Sequence, residues 1–199
     1  MLPELPSQEL KETLIKEALL QSSFPLSQYK SKIDLSPHIP YFINKDIQCY
    51  SIEKEVNSQV NNTVSEFSFD YLLSFRFAVN GQKVFLPNDT TYFSYQITHY
   101  KPYQLTGFSD SLIKLIDKTE IRKLVLTNME TQKTRKIFRF NILTLGTPLF
   151  NAARNLAIIG IEEWGYSEQV NSMSGTFYVL RKKGNNWILV NTVPWKDKN

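Results

Sequence analysis

The sharpest alternation in the chain runs from Glu66 to Val79. Phe67, Phe69, Tyr71, Leu73, Phe75, Phe77 and Val79 alternate with Ser68, Asp70, Leu72, Ser74, Arg76 and Ala78. A period of two sets the first group on one face of an extended segment, so the pattern predicts a long, half-buried strand. Asn80-Gly81 follows, and a type I′ hairpin turn needs positive φ at both central residues. Folding about it puts Val79 opposite Gln82, Phe77 opposite Val84 and Phe75 opposite Leu86, which carries the apolar face across the pair. Pro87-Asn88-Asp89 ends the second strand. Thr91 to Tyr100 then reads as a further strand, with Phe93, Tyr95 and Ile97 on one face.

The C-terminal quarter is richer still in β-branched and aromatic residues. Leu156 to Ile161 leads into Glu162-Glu163-Trp164, and a polar loop over 165–174 follows. Gly175 to Lys183, a Gly184-Asn185-Asn186 turn, and Trp187 to Val193 complete an antiparallel meander. In the last run Trp187 and Leu189 point one way, Ile188 and Val190 the other. A strand apolar on both faces is covered on both.

A period near 3.6 appears in two places. Ser7 to Leu20 places Leu10, Leu14, Ile15, Ala18 and Leu19 on one face of a helix, with Pro6 and Ser7 as its start. Ser109-Asp110-Ser111 reads as a second helix start ahead of Leu112, Ile113, Leu115 and Ile116, continued past Thr119 through Ile121, Leu124, Val125 and Met129. Residues 21–41, punctuated by Pro25, Pro37 and Pro40, read as irregular. A short strand is expected over Ile47 to Ile52, and another over Ile137 to Leu145, closed by Gly146-Thr147-Pro148. With two hairpins and no βαβ alternation, the expected class is α+β. The expected fold is an antiparallel sheet of meander and hairpins, with an N-terminal helix and a central helical segment over 109–131 packed on it. The chain of 199 residues reads as one domain, with 1–45 as helix plus irregular extension.

Composition narrows the function classes. The net charge of +4 falls short of a nucleic-acid footprint, which makes nucleic acid an unlikely partner. One cysteine, Cys49, excludes an internal disulfide and a cysteine-rich metal site. No run of about 18 apolar residues marks a membrane span. The opening Met1-Leu2-Pro3-Glu4-Leu5-Pro6 has neither the basic start nor the apolar stretch of a signal peptide.

Pro148-Leu149-Phe150-Asn151, an Ala/Ile-rich strand, and Gly175-x-x-Tyr178-x-Leu180-x-Lys182-Lys183-x-x-x-Trp187-x-x-Val190 carry a family likeness. This ending, over about residues 148–195, resembles a group of uncharacterised bacterial proteins of Bacteroidetes type. Its Tyr-x-Leu…Trp-x-x-Val hairpin is similar to the last hairpin of NTF2-like and cystatin-like domains. The resembling proteins often look exported or lipid-anchored. The likeness therefore implies an extracytoplasmic mature domain, periplasmic or lipoprotein-derived, against a cytoplasmic alternative. It brings no functional residue with it.

Phosphate-binding glycine loops, nucleophile elbows and zinc-helix motifs are absent from the sequence, and His38 and His99 have no ligand spacing; no cofactor or metal is expected. Asp70 and Arg76 lie on the less apolar face of the 66–79 strand, where a covering helix would make them pocket residues and solvent would make them ordinary polar ones. His99 extends the face of Tyr95 and Ile97. Glu162-Glu163-Trp164 ends a core strand, where an acid–aromatic pair could bind a ligand but surface termination of the strand is the favoured reading; Glu162 and Glu163 fall on opposite faces and cannot form a paired-carboxylate site. Lys133 to Phe140 interleaves cations with aromatics, as a nucleic-acid strand or a charged sheet edge would. Tyr166 opens the polar loop. Two functions are weighed. The favoured one is a non-catalytic protein- or macromolecule-binding module, such as an immunity or envelope-associated accessory protein, using Tyr166, Glu162, Trp164, Asp70, Arg76 or His99. The alternative is an NTF2-like pocket protein, either an enzyme or a small-molecule binder, with Asp70, His99 or Glu162 as acid–base groups.

Overall fold

The computed structural model describes residues 3–21, 41–48, 51–52, 66–67, 77–79, 82–106, 113–133, 140–166 and 172–195. Asp70, Arg76, His38, Cys49, the middle of the 66–79 alternation, most of the 133–140 basic cluster and the centre of the 165–174 loop lie outside them. Helix α1 spans Gln8–Gln21. The Ser7 hydroxyl accepts the Leu10 N–H at 3.2 Å, which satisfies one of the donors a helix start leaves open. The expected apolar stripe is the buried one: Leu14, Ile15, Ala18 and Leu19 are all fully enclosed.

Eleven strands follow among the described residues: β1 (Tyr41–Asn44), β2 (Ser51–Ile52), β3 (Glu66–Phe67), β4 (Ala78–Val79), β5 (Gln82–Lys83), β6 (Ile113–Ile116), β7 (Phe140–Leu145), β8 (Leu149–Phe150), β9 (Leu156–Tyr166), β10 (Ser172–Lys183) and β11 (Asn186–Trp195). The remaining helices among the described residues are α2 (Pro87–Thr98) and α3 (Lys118–Lys133). Seven strands form the main sheet in the order β11-β10-β9-β7-β1-β6, with β8 also paired to β9. The α+β class holds, but the sheet is mixed: β1 runs parallel to both β6 and β7, while β7 through β11 pair antiparallel.

That mixture traces in part to a local misreading. Residues 113–116, expected in a helix, are β6. The helix begins after Asp117, whose carboxylate accepts the Glu120 N–H at 2.9 Å while the Glu120 carboxylate accepts the Asp117 N–H at 3.0 Å. This reciprocal capping box fixes the boundary. It creates a β6–α3–β7 crossover, which supplies the long connection that parallel strands need.

A second correction concerns the expected strand from Thr91 to Tyr100, of which residues 91–98 belong to α2. Pro87 occupies the first turn, where its missing N–H is harmless. The Asp89 carboxylate accepts the Leu86 N–H at 2.9 Å. The buried positions Asp89, Tyr92, Phe93 and Gln96 recur at helical spacing. Strands β4 and β5 pair in the expected register, with Val79 opposite Gln82 and Ala78 opposite Lys83, while Asn80 and Gly81 lie outside the described residues. Residues 41–44, read as irregular chain, form a strand inside the sheet; of the expected 47–52 strand, Ser51–Ile52 is strand and Gln48 makes an isolated bridge to Gly146, while residues 49–50 lie outside the described ones.

The meander is covered on both faces, as its composition requires. Ala157, Ile159, Ile161, Tyr178, Leu180 and Trp187 join the core under α1, while Ile158, Phe177, Val179 and Val193 join a second core with Phe77, Phe85 and Phe93. Along β11 the parity changes midway. Leu189 pairs with Leu180 and Asn191 with Val179, so Val190 is an extra residue in a β-bulge. The bulge lets Trp187 face α1 and Val193 face the opposite core, although both are odd-numbered.

Two glutamines close exposed strand edges in the same way. The Gln21 Nε2 donates to the Trp187 carbonyl at 2.7 Å and its Oε1 accepts the Leu189 N–H at 2.8 Å. The Gln96 Nε2 donates to the Phe150 carbonyl at 2.7 Å and its Oε1 accepts the Phe150 N–H at 3.0 Å. Each carboxamide stands in for one residue of a neighbouring strand. Farther along β11 the bulge and Pro194, which offers no N–H, discourage pairing with another chain.

Candidate functional site

Open sheets with parallel strands hold ligands outside the carboxyl ends of those strands. Here those ends belong to β1, β6 and β7, followed by Lys45, Asp117 and Gly146. A strap of residues 100–106 crosses them. Leu105 N–H donates to the Lys45 carbonyl at 2.8 Å, Ile47 N–H to the Tyr103 carbonyl at 3.2 Å, and the Tyr100 hydroxyl to the Ile47 carbonyl. Ile47 and Leu105 are buried, and the Tyr103 hydroxyl reaches Thr147 Oγ1 at 3.4 Å. Burial pushes the Tyr103 phenol well up, only partly offset by that hydrogen bond. The place where this topology offers a crevice is filled by the chain itself.

Charged groups ring the filled end. Lys45 lies 3.4 Å from Asp117, and Lys114 lies 3.3 Å from Glu120. The Glu120 backbone N–H holds the Asp117 carboxyl below its ordinary value, with Lys45 assisting; the Asp117 backbone N–H does the same for Glu120, with Lys114 assisting. Both carboxylates are more acidic in the folded state, so their contribution is present above their unfolded values and is lost as pH falls through the folded ones. Thermal melts from neutral pH downward are expected to show α3 weakening below pH about 4. The double variant Asp117→Asn/Glu120→Gln is expected to flatten that part of the profile; an unchanged acid limb would show that the box contributes nothing.

Four of the six sequence candidates lie among the described residues: His99, Glu162, Trp164 and Tyr166. His99 terminates α2 and is exposed. Its ring packs on Tyr95 at 4.3 Å, and its Nδ1 lies 2.9 Å from the Tyr95 carbonyl oxygen, an acceptor that fixes the proton on that nitrogen. Glu162 and Trp164 lie on β9. Cross-strand register puts Glu162 between Thr144 and Gly175, and Trp164 between Ile142 and Met173. Glu163 pairs with Leu143 and Ser174 on the other face, so the two glutamates diverge as the strand period demands. Glu162, Glu163 and Trp164 are all half-buried. Tyr166 is the last residue of β9, opposite Phe140.

One grouping was missed from sequence. The Tyr178 phenol is buried on the face of Glu163, and burial raises it to about 12; the Glu163 charge adds to the rise and a hydrogen bond with Thr176 opposes it. The signal was available in strand parity, since registering Tyr178 with Ile159 puts all three residues on one face. No helix among the described residues is long and apolar enough to cross a membrane. Comparison with family models, curated proteins and solved structures found no match for this chain.

Proposed function

We propose that this chain is a non-catalytic binding module for another protein, engaged through the end of the sheet where β9 leads toward β10. The observation that supports it is the strip formed by Glu162 and Trp164 on one face of β9. These side chains stand half-buried beside Ile142, Thr144, Gly175 and Met173. A partly enclosed Trp beside a carboxylate suits an interface anchor, because aromatic residues carry a large share of contact energy at protein interfaces. Immunity proteins and envelope-associated accessory proteins are both modules of this kind, and an extracytoplasmic setting suits either. The pocket alternative needs its acid–base groups in one place; of them His99 ends α2, Glu162 lies on β9, and Asp70 lies outside the described residues.

The test is affinity purification from the native cell with tagged wild-type chain, Trp164→Ala and Glu162→Gln. A partner held by the wild type is expected to bind Trp164→Ala about 30-fold more weakly, or worse, as for a hot-spot truncation of 2 kcal/mol or more. Equal recovery by all three chains, or none by the wild type at several salt concentrations, would overturn the reading.

A further inference from the structure

We infer that the β10–β11 hairpin tip is a docking element for a carboxylate-rich protein segment. Arg181, Lys182 and Lys183 end β10, and all three are exposed, as are Gly184, Asn185 and Asn186 of the turn. Gly184 adopts φ 62° at the first central position of the two-residue loop, a tight geometry that holds the tip as an extension of two ladders rather than a floppy loop. The Lys182 N–H donates to the Asn155 carbonyl at 2.8 Å, which fastens the tip to the loop preceding β9. That loop brings in Arg154, distant in sequence, at φ 52°. A left-handed conformation at a non-glycine residue persists only where its surroundings hold it. Here Asn151 Oδ1 accepts the N–H groups of Asn155 and Leu156, both at 3.0 Å, and the Arg154 guanidinium donates to the Glu4 carbonyl.

Some cations elsewhere on the fold have local partners. Lys45 meets Asp117, Lys114 meets Glu120, and Lys11 lies over the Tyr103 ring at 5.5 Å. Among the described residues no carboxylate lies within ion-pair reach of Arg181, Lys182 or Lys183. The cluster is therefore a positive corner with no neutralising carboxylate among the described residues. Its chemistry favours carboxylates over a nucleic acid. Binding to single strands needs exposed rings for base stacking, and the aromatic residue nearest the turn, Trp187, is only 2% exposed. An acidic peptide asks for what the tip offers: Arg181 and, across the ladder, Ile188 at 37% exposure on the same face. The corner lies at the opposite end of β9 from Trp164. Eight residues of strand separate them by about 27 Å, so the inference does not rest on the reading proposed above.

The experiment titrates the full chain against fluorescent poly-L-glutamate at about 0.1 M salt, where charges act over about 10 Å, and again near 1 M, where the range falls to about 3 Å. A single-stranded oligothymidylate and vesicles of anionic phospholipid serve as competing probes. The triple variant Arg181→Gln/Lys182→Gln/Lys183→Gln is compared with Lys118→Gln/Arg122→Gln on α3 and with the milder Arg181→Gln, each checked for an unchanged melting temperature. Poly-L-glutamate is expected to bind the wild type and the α3 variant alike, about tenfold or more weaker to the triple variant, and to be released at high salt. Equal weakening by the α3 variant would reduce the effect to net charge and overturn the proposal. So would undetectable binding, or binding of oligothymidylate or vesicles as tight as that of poly-L-glutamate and lost in the same triple variant.

Discussion

Trp187→Ala is expected to destabilise the fold by about 3–5 kcal/mol, the range for deleting a large aromatic side chain from a packed core. Trp187 is 2% exposed and meets Phe150 edge-on at 5.7 Å between ring centroids. It also belongs to the core that α1 covers with Leu14, Ile15 and Leu19. Truncation leaves a void bounded by a helix at one end of the chain and a strand near the other. Collapse into it would require α1 to shift, and the Gln21 bonds to β11 resist that shift. Domains of this kind are stable by only about 5–15 kcal/mol, so the variant is expected to lose a large share of its stability. Urea unfolding measures the loss, and Trp187→Phe, which keeps a ring in place, is expected to recover more than half of it. A loss below about 1 kcal/mol for Trp187→Ala would show that the site relaxes freely.

Why the meander was legible, and the parallel half of the sheet was not, follows from where each strand finds its information. In β9, β10 and β11 the apolar residues on both faces, the Gly184-Asn185 turn and the short connections all act within about forty residues, so local pattern and final packing agree. Helix α1 is legible for the same reason: its buried stripe and its Ser7 cap lie within one segment. The β6–α3 boundary depends on a competition. Leu112-Ile113-x-Leu115-Ile116 suits a buried strand as well as a helix turn, since a short apolar run does not by itself distinguish them. Asp117-x-x-Glu120 decides it, by capping a helix that begins only there. In α2 the alternation of Phe93, Tyr95 and Ile97 suggested a strand, but Pro87 with Asp89 marked a helix start, and Tyr92, Phe93 and Gln96 carry the helical face. The bulge at Val190 left no local trace, because it reconciles two cores that meet only in the folded molecule. The candidate site was legible in part. Strand period alone separated Glu162 from Glu163, whereas the grouping of Tyr178, Thr176 and Glu163 required a cross-strand register.

Gln96→Leu is expected to cost about 2–5 kcal/mol, because it leaves two buried backbone groups without partners at about 1–3 kcal/mol each. Gln96 is 6% exposed, and its carboxamide satisfies both the N–H and the C=O of Phe150. Leucine fills a similar volume, so the loss reports hydrogen bonding rather than a cavity. Gln96→Glu separates the two bonds and gives the prediction a sign in pH. When protonated, the introduced carboxylic acid donates through its O–H to the Phe150 carbonyl and accepts the Phe150 N–H, matching the carboxamide. When ionised it can only accept, and it places a charge in an apolar site. Burial raises its folded pKa above the unfolded carboxylate value of about 4.3. The variant's stability relative to the wild type is therefore expected to be greatest below pH about 4 and to fall as pH rises through the raised folded value. Urea unfolding of both variants at pH about 4 and about 7 measures this. If Gln96→Leu matched the wild type, or if the deficit of Gln96→Glu were the same at both pH values, the strand-mimicking role of Gln96 would be refuted.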